Sequence, residues 1–194
     1  MTFLALALSF STWTFALADT PSVSSPAAKR EAERLNALPA VTPKGKARVD
    51  HSGRKERGKA SYYARKFSGR TMADGRKMNL KDNIAASKTL PLGSIAEITN
   101  LETGDSVTVK VQDRGPFVAG RVIDVSPKVA DDLALKKDGV AQVEVRPITV
   151  PQPDGSVKLG AGAAEATPRE IERAIATTRA LMRRGEGERT ASAQ

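Results

Sequence analysis

The sequence contains no cysteine, one histidine and one tryptophan, and aromatic residues make up only 4% of its 194 positions. Without cysteine the chain has no disulfide, no thiolate zinc site, no cysteine nucleophile and no lipid attached through an N-terminal cysteine. The single histidine, His51, lies in a basic stretch, which argues against a histidine-based catalytic triad. The sequence also lacks a glycine-rich phosphate loop and a metal-ligand cluster, so we expect neither a cofactor nor a metal.

Positive charge dominates the composition. Lysine and arginine number 31 against 22 acidic residues, which gives a formal charge of +9. Such a balance favours an anionic partner, which can be nucleic acid, a membrane surface or an acidic polymer. Charge alone does not choose among these three.

The first eighteen residues narrow the choice. The chain is uncharged and mostly apolar from Thr2 to Ala18, and this segment ends in "ALA". This is typical of a secretory signal peptide, here residues 1–18. About 16 apolar residues fall short of the roughly 20 that span a bilayer. No Lys or Arg precedes the apolar run, so an uncleaved anchor stays open as the alternative. We expect a soluble, secreted or periplasmic protein with no membrane anchor after cleavage and no nucleic-acid partner.

The rest of the chain divides into three parts by composition. Residues 19–57 form a basic linker rich in Pro, Ser and Ala. Residues 58–148 contain short alternating segments separated by tight turns, such as "SVTVKVQD", which predicts a hairpin over 95–113. A short helix is expected to begin at Ser126-Pro127. The pattern indicates a mainly β fold, a small closed barrel with one short helix.

Residues 149–194 combine a Pro/Gly linker with an amphipathic C-terminal helix. Thr167 and Glu170 form a capping box around Pro168, and Gly185 is predicted to end the helix. The apolar stripe of this helix is expected to pack on the barrel or on a protein partner, which we favour over a membrane surface.

Asp113 is the first candidate for chemistry. It ends the alternating strand with the parity of Val107, Val109 and Val111, so it should lie at the mouth of an apolar face. Partial desolvation raises the pKa of a carboxyl group and suits a general acid. The alternative is that Asp113 caps the following Gly-Pro turn. Asp124 precedes a helix start and is expected to cap it.

Several side chains are candidates to line a groove beside Asp113. One of the paired tyrosines should be in the core while the other stacks on a ligand, and Tyr63 is our candidate. Lys88, Arg70 and Arg76 are expected either to line the groove or to be surface charge. Arg114 is expected either to bind an anionic substrate or to oppose the pKa shift of Asp113.

Three segments together resemble a known family. "GKASYYARKFSGRTMADGRKMN", "AASKTLPLGSIAEITNLETGDSVTVKVQDRGPFVAGRVIDVS" and "GVAQVEVRPI" are similar to the rare lipoprotein A (RlpA) domain, from about residue 58 to 148. The resemblance implies a six-stranded double-psi β-barrel, a fold shared with expansins. It also implies endolytic lytic transglycosylation of peptidoglycan glycan strands that have lost their stem peptides, with 1,6-anhydro products.

The resemblance assigns Asp113 the acid of the "DRGP" motif. A lytic transglycosylase protonates the glycosidic oxygen while the sugar's own 6-hydroxyl closes on the anomeric carbon, so a single acid is sufficient. Two positions depart from the family pattern: Arg76 replaces a Glu and Ser87 replaces a His, so Ser87 joins the candidate substrate contacts. The departures keep open a non-catalytic, expansin-like peptidoglycan-binding protein, and a domain that docks through its C-terminal helix.

Overall fold

A computed structural model describes residues 48–136 and 139–191 of the chain, with residues 185–191 described as backbone only. The predicted signal segment 1–18 and most of the predicted linker 19–57 lie outside the described residues. None of the helices in the described ranges is long and apolar enough to span a membrane.

The described chain contains seven strands, two α-helices and two short 3₁₀ turns. In chain order the elements are β1 (Glu56–Tyr62), a 3₁₀ turn (Arg65–Phe67), β2 (Ile84–Ser87), β3 (Ile95–Asn100), β4 (Ser106–Asp113), β5 (Arg121–Val125), α1 (Pro127–Asp132), β6 (Val140–Pro151), β7 (Val157–Leu159), a 3₁₀ turn (Ala161–Ala164) and α2 (Pro168–Ala191).

Six of the strands close into a barrel. Their order is β1-β5-β2-β4-β3-β6, and β6 pairs back with β1, so no open edge remains among them. The β1–β5 and β2–β4 pairs are parallel and the other pairs are antiparallel, while β7 extends the sheet beyond β6. The predicted closed barrel and the β3–β4 hairpin are both confirmed.

Short aliphatic side chains fill the barrel, as expected for a small closed sheet whose inner face alternates with an outer one. The alternation predicted for β4 holds for Val109 and Val111, which are fully buried. It breaks at Gln112, which is also buried because its amide donates to Asp74 at 2.8 Å. The largest fully buried aliphatic side chains are Ile98, Val109, Val111, Ile123, Val125, Val129, Leu133, Leu135, Val143 and Val150.

The described residues just before position 58 contact the barrel, although they were predicted to belong to a linker. β1 begins two residues before the predicted start of the domain. His51, expected to be a solvated linker residue, has its Nδ1 atom 2.8 Å from the carbonyl oxygen of Pro151. The reason is the length of β6, which continues into the predicted linker after residue 148 and offers its carbonyl groups to the incoming chain.

Both helix starts follow the predicted signals. Ser126 caps α1 by accepting a hydrogen bond from the Val129 amide at 3.3 Å. Thr167 and Glu170 form the expected capping box at α2. The predicted end at Gly185 is wrong, because α2 continues to Ala191.

α2 packs on the barrel, which is one of the two predicted alternatives, the other being a protein partner. Ala174 and Leu181 contact the patch made by Ile95 and Ile148. Beneath them the buried Thr178 hydroxyl donates to the Gly93 carbonyl at 3.1 Å and lies 2.7 Å from the Thr149 hydroxyl. Because the single Thr178 proton is used on Gly93, Thr149 is the donor to Thr178.

Thr178→Val should therefore destabilise the protein by about 1–3 kcal/mol, since it leaves the Gly93 carbonyl and the Thr149 hydroxyl buried without their partner. Urea denaturation followed by circular dichroism measures the free energy of unfolding. The matched control is Thr177→Val on the more accessible neighbouring position, which should cost no more than about 0.5 kcal/mol. Equal losses in the two variants would contradict the proposed anchor.

Candidate active site

Asp113 connects three segments of the chain. Its Oδ2 atom accepts a hydrogen bond from the Tyr63 hydroxyl at 2.9 Å. Its Oδ1 atom accepts from the amides of Ala73 and Arg114, each at 2.9 Å. The bond to Arg114 is the turn cap that the sequence suggested as an alternative. The other two bonds fix the residue after β1 and the loop between β1 and β2 around the end of β4.

The turn after Asp113 opens the surface on one side of this carboxylate. Gly115 has a φ of +130°, a backbone conformation that residues other than glycine rarely adopt. The Gly115–Pro116 peptide bond is cis. The chain then presents Phe117 and Val118, which are 57% and 51% exposed. The Phe117 ring passes 3.8 Å from the position that a Cβ would occupy on Gly115. An exposed aromatic face thus lies next to the Asp113 turn, where a sugar ring can stack.

Asp124 is a second acid on the same side of the sheet. Ala86 in β2 is the register partner of Asp113 on one neighbouring strand and of Asp124 on the other. Residues directly opposite each other on neighbouring strands face the same side, and two strand spacings place the two aspartate Cα atoms about 10 Å apart. Ala86 lies between them on β2. The two carboxylates therefore flank a shallow floor.

Asp124 does not cap α1 as expected, because Ser126 does so. Its carboxylate instead accepts from the Ser61 hydroxyl at 2.6 Å and from Arg121 Nη2 at 3.3 Å. Burial raises the pKa of the Asp124 carboxyl, and the negative charge of Asp113 raises it further. The Ser61 hydrogen bond, Arg121 and Lys88 oppose this shift without cancelling it.

The Tyr63 hydroxyl donates a hydrogen bond to Asp113 in this structure. The Tyr63 ring packs edge-on against the Phe67 ring, with 5.7 Å between the ring centroids, and joins a small apolar cluster with Met72 and Met78. Burial and the neighbouring Asp113 raise the pKa of the Tyr63 hydroxyl well above its usual range, so it remains a hydrogen-bond donor across the accessible pH range.

Lys88 and Arg76 are two of the predicted groove residues that remain at least partly accessible. Lys88 is half-buried and close enough to Asp124 for its charge to lower the pKa of that carboxyl. Arg76 lies farther along the loop that contains Ala73. Its Nε atom is 3.5 Å from an Asp74 carboxylate oxygen, which partly neutralises it.

Ser87 and Arg114 make structural contacts; the burial of Ser87 corrects the expectation that it meets substrate, while the substrate contact of Arg114 stays a prediction. Ser87 is 1% exposed, and its hydroxyl accepts from the amides of Thr89 and Leu90 at 3.2 and 3.0 Å. The half-buried Arg114 donates from Nη1 to the carbonyls of Ser87 and Leu90, at 3.2 and 2.6 Å. Burial lowers the pKa of its guanidinium, while the charge of Asp113 opposes that shift. Together they hold the 87–90 turn that contains Lys88.

The prediction that Asp124 caps α1 is wrong, because Ser126 does so, and the general-acid role of Asp113 stays a prediction. The signal that was missed is the parallel pairing of β1 with β5, which places Ser61 opposite Asp124. Within residues 48–136 and 139–191, no group of three or more acidic or histidine side chains is arranged to hold a metal ion.

The barrel matches a described class of proteins. Residues 55–145 match the family model described as "Lytic transglycolase", which covers the barrel from β1 into β6. The barrel is thus a double-psi β-barrel domain of that class.

Relatives place it more narrowly. The chain is 42% identical over 98 residues to the endolytic peptidoglycan transglycosylase RlpA of Vibrio cholerae, covering 50% of this chain and 37% of the relative. It is 47% identical over 91 residues to the protein of the same name from Pseudomonas aeruginosa strain UCBPP-PA14, covering 47% and 27%. It is 46% identical over 88 residues to a probable RlpA of Treponema pallidum, covering 45% and 28%. The chain therefore contains an RlpA-family domain and spans less than two fifths of the length of these relatives.

The raised pKa of Asp124 predicts a pH dependence of stability. The folded protein keeps the Asp124 proton to a higher pH than the unfolded chain does, where an aspartate ionises near pH 3.9. Stability from this group is therefore present at low pH and lost as the pH rises from about 4 through the raised value.

The free energy of unfolding of the wild type minus that of Asp124→Asn should thus fall across this window in urea titrations. Asp105→Asn, in the exposed β3–β4 turn, serves as the control variant. A difference that grows with pH would contradict the assignment.

Proposed function

We propose that this domain cleaves peptidoglycan glycan strands by endolytic lytic transglycosylation and acts on strands without stem peptides. The observation that carries the proposal is the pair of aspartates on either side of Ala86, one of them with a raised pKa. The names of the RlpA relatives supply the reaction and its substrate.

In the proposed reaction Asp113 is the general acid. It donates a proton to the glycosidic oxygen as the bond between that oxygen and the anomeric carbon breaks. The 6-hydroxyl oxygen of the same sugar then bonds to the anomeric carbon, and its proton returns to the carboxylate. The products are a new chain end and a 1,6-anhydro sugar, with no water consumed.

Asp124 keeps its proton to a higher pH than a lone aspartate does. Burial and the Asp113 charge favour the protonated form of Asp124. After Asp113 has donated its proton, its carboxylate charge can stabilise the positive charge that develops on the sugar.

The groove around the pair supplies contacts for a polar glycan. We assign Phe117 as a stacking surface and Lys88 as a donor to sugar hydroxyl or acidic groups. Ser87 and Arg114 act as positioning residues for Lys88, and Tyr63 as a positioning residue for Asp113.

A glycan-binding domain without cleavage is the second candidate. Arg76 and Ser87 stand where the family resemblance expects Glu and His. The burial of Ser87 supports this alternative, because a side chain 1% exposed can neither bind nor protonate a substrate. In either case the predicted signal segment favours the cell envelope, with the protein secreted or periplasmic. A protein partner through α2 stays a prediction.

Digestion of peptidoglycan tests the proposal directly. Intact and stem-peptide-free strands are incubated with the wild type and with Asp113→Asn, and 1,6-anhydro products are measured by mass spectrometry. Loss of a general acid costs about 10²–10⁴-fold in rate, so Asp113→Asn should release few products.

Asp105→Asn is the matched control and should cleave as the wild type does. Asp124→Asn separates the two aspartates, because an unaltered rate would remove Asp124 from the mechanism and leave Asp113 alone. If the wild type releases no more product than Asp113→Asn, the cleavage proposal fails. Sedimentation with insoluble glycan then decides whether the domain binds without cutting.

A further inference from the structure

A basic cleft lies between α2 and the loop that contains Arg76. It has a volume of about 400 Å³ and is lined by Arg76, Thr177, Ala180, Leu181, Arg183 and Arg184. Three guanidinium groups from two separate segments thus meet around one opening. α2 lies beyond residue 145, so the family match does not include the half of the cleft that this helix contributes.

Buried contacts hold the α2 wall of the cleft against the barrel. Thr178 is fully buried and hydrogen-bonded to Gly93, and Leu181 packs against the barrel. Arg183 and Arg184 follow within two turns and are exposed. A fixed helix therefore presents them toward the Arg76 side of the cleft.

The other wall belongs to the candidate active site. The Ala73 amide donates to Asp113 at 2.9 Å, and the Asp74 amide donates to the Gln112 carbonyl at 3.1 Å. Arg76 follows Ala73 by three residues, which limits the distance between their Cα atoms to about 11 Å. Arg76 in the cleft and Ala73 beside Asp113 therefore belong to the same loop.

The charge of the cleft is strongly positive. Asp74 faces Arg76 at 3.5 Å, but its carboxylate is shared with the Gln112 amide. Guanidinium groups bind carboxylates through paired N–H donors, with a geometry that lysine does not offer. The cleft thus suits a carboxylate that projects from a ligand lying across Asp113.

We propose that this cleft binds a carboxylate of the glycan strand and so selects strands in which that acid is free. The inference rests on the proposed function, in which a glycan occupies the groove. A strand without stem peptides carries a lactyl carboxylate on each muramic acid, and a stem peptide converts that group to a neutral amide. α2 would then recognise the free lactyl carboxylate that distinguishes a strand without stem peptides.

Binding to insoluble stem-free glycan at 4 °C tests the proposal, with half of the material amidated by carbodiimide and methylamine. The wild type should bind the untreated strands about tenfold more tightly than the amidated ones, the scale of one charge-assisted hydrogen bond. Arg183→Gln with Arg184→Gln should bind both materials alike.

The matched control is Arg169→Gln with Arg179→Gln, which removes the same charge from exposed positions of α2 outside the cleft. It should keep the preference for untreated strands. An equal loss in both double variants would reduce the effect to net charge and overturn the proposal. So would a retained preference in the Arg183/Arg184 variant. Arg76→Gln tests the opposite wall without altering α2 and should weaken the preference.

The experiment separates this proposal from the proposed reaction. A carboxylate preference that depends on Arg183 and Arg184, in a protein that releases no 1,6-anhydro products, would support the cleft and reject the cleavage. Cleavage without any preference would do the reverse. Binding of a DNA duplex that depends on the two arginines, with no such dependence for glycan, would overturn the carboxylate assignment.

Discussion

The three hydrogen bonds accepted by Asp113 organise the rest of the site. They join the end of β4 to Tyr63 after β1 and to Ala73 in the following loop. The Ala73 bond attaches this loop to the barrel mouth together with the two bonds between Asp74 and Gln112, and so contributes to the position of Arg76. One carboxylate is thus both the centre of the proposed chemistry and the structural link between the groove and the basic cleft. This double use predicts that changes at Asp113 affect local order as well as rate.

The barrel topology explains why a second acid stands nearby. β2 lies between β4 and β5, so a single small residue, Ala86, has an aspartate on each side. The register brings together Asp113 and Asp124, which are separated by a complete turn in the chain. Burial of Asp124 raises the pKa of its carboxyl group, and the negative charge of Asp113 adds a smaller contribution in the same direction. The same topology gives Ser61 to Asp124 through the parallel β1–β5 pair.

Structural features that depend only on neighbouring residues could be predicted from the sequence. The β3–β4 hairpin followed from strict alternation, and both helix caps followed from residue types that bind free amides. Parity singled out Asp113, although the alternation of β4 breaks at Gln112 and a register shift pairs Asp113 with Ala86. The role of Asp124 depended on which strands pair in parallel, which sequence periodicity does not encode. Ser87 was misjudged for a related reason, because a hydroxyl that caps a turn and one that meets substrate look alike in sequence.

The site depends on the raised pKa of Asp124 beside Asp113, and the most direct test is carboxyl carbon NMR of the folded protein across pH. We expect the Asp124 carboxyl to titrate above the ordinary aspartate value of about 3.9. In Asp113→Asn the titration should move to lower pH, since the neighbouring negative charge is gone. An Asp124 that titrates at or below the ordinary value, or that is unaffected by Asp113→Asn, would contradict the pair and the mechanism built on it.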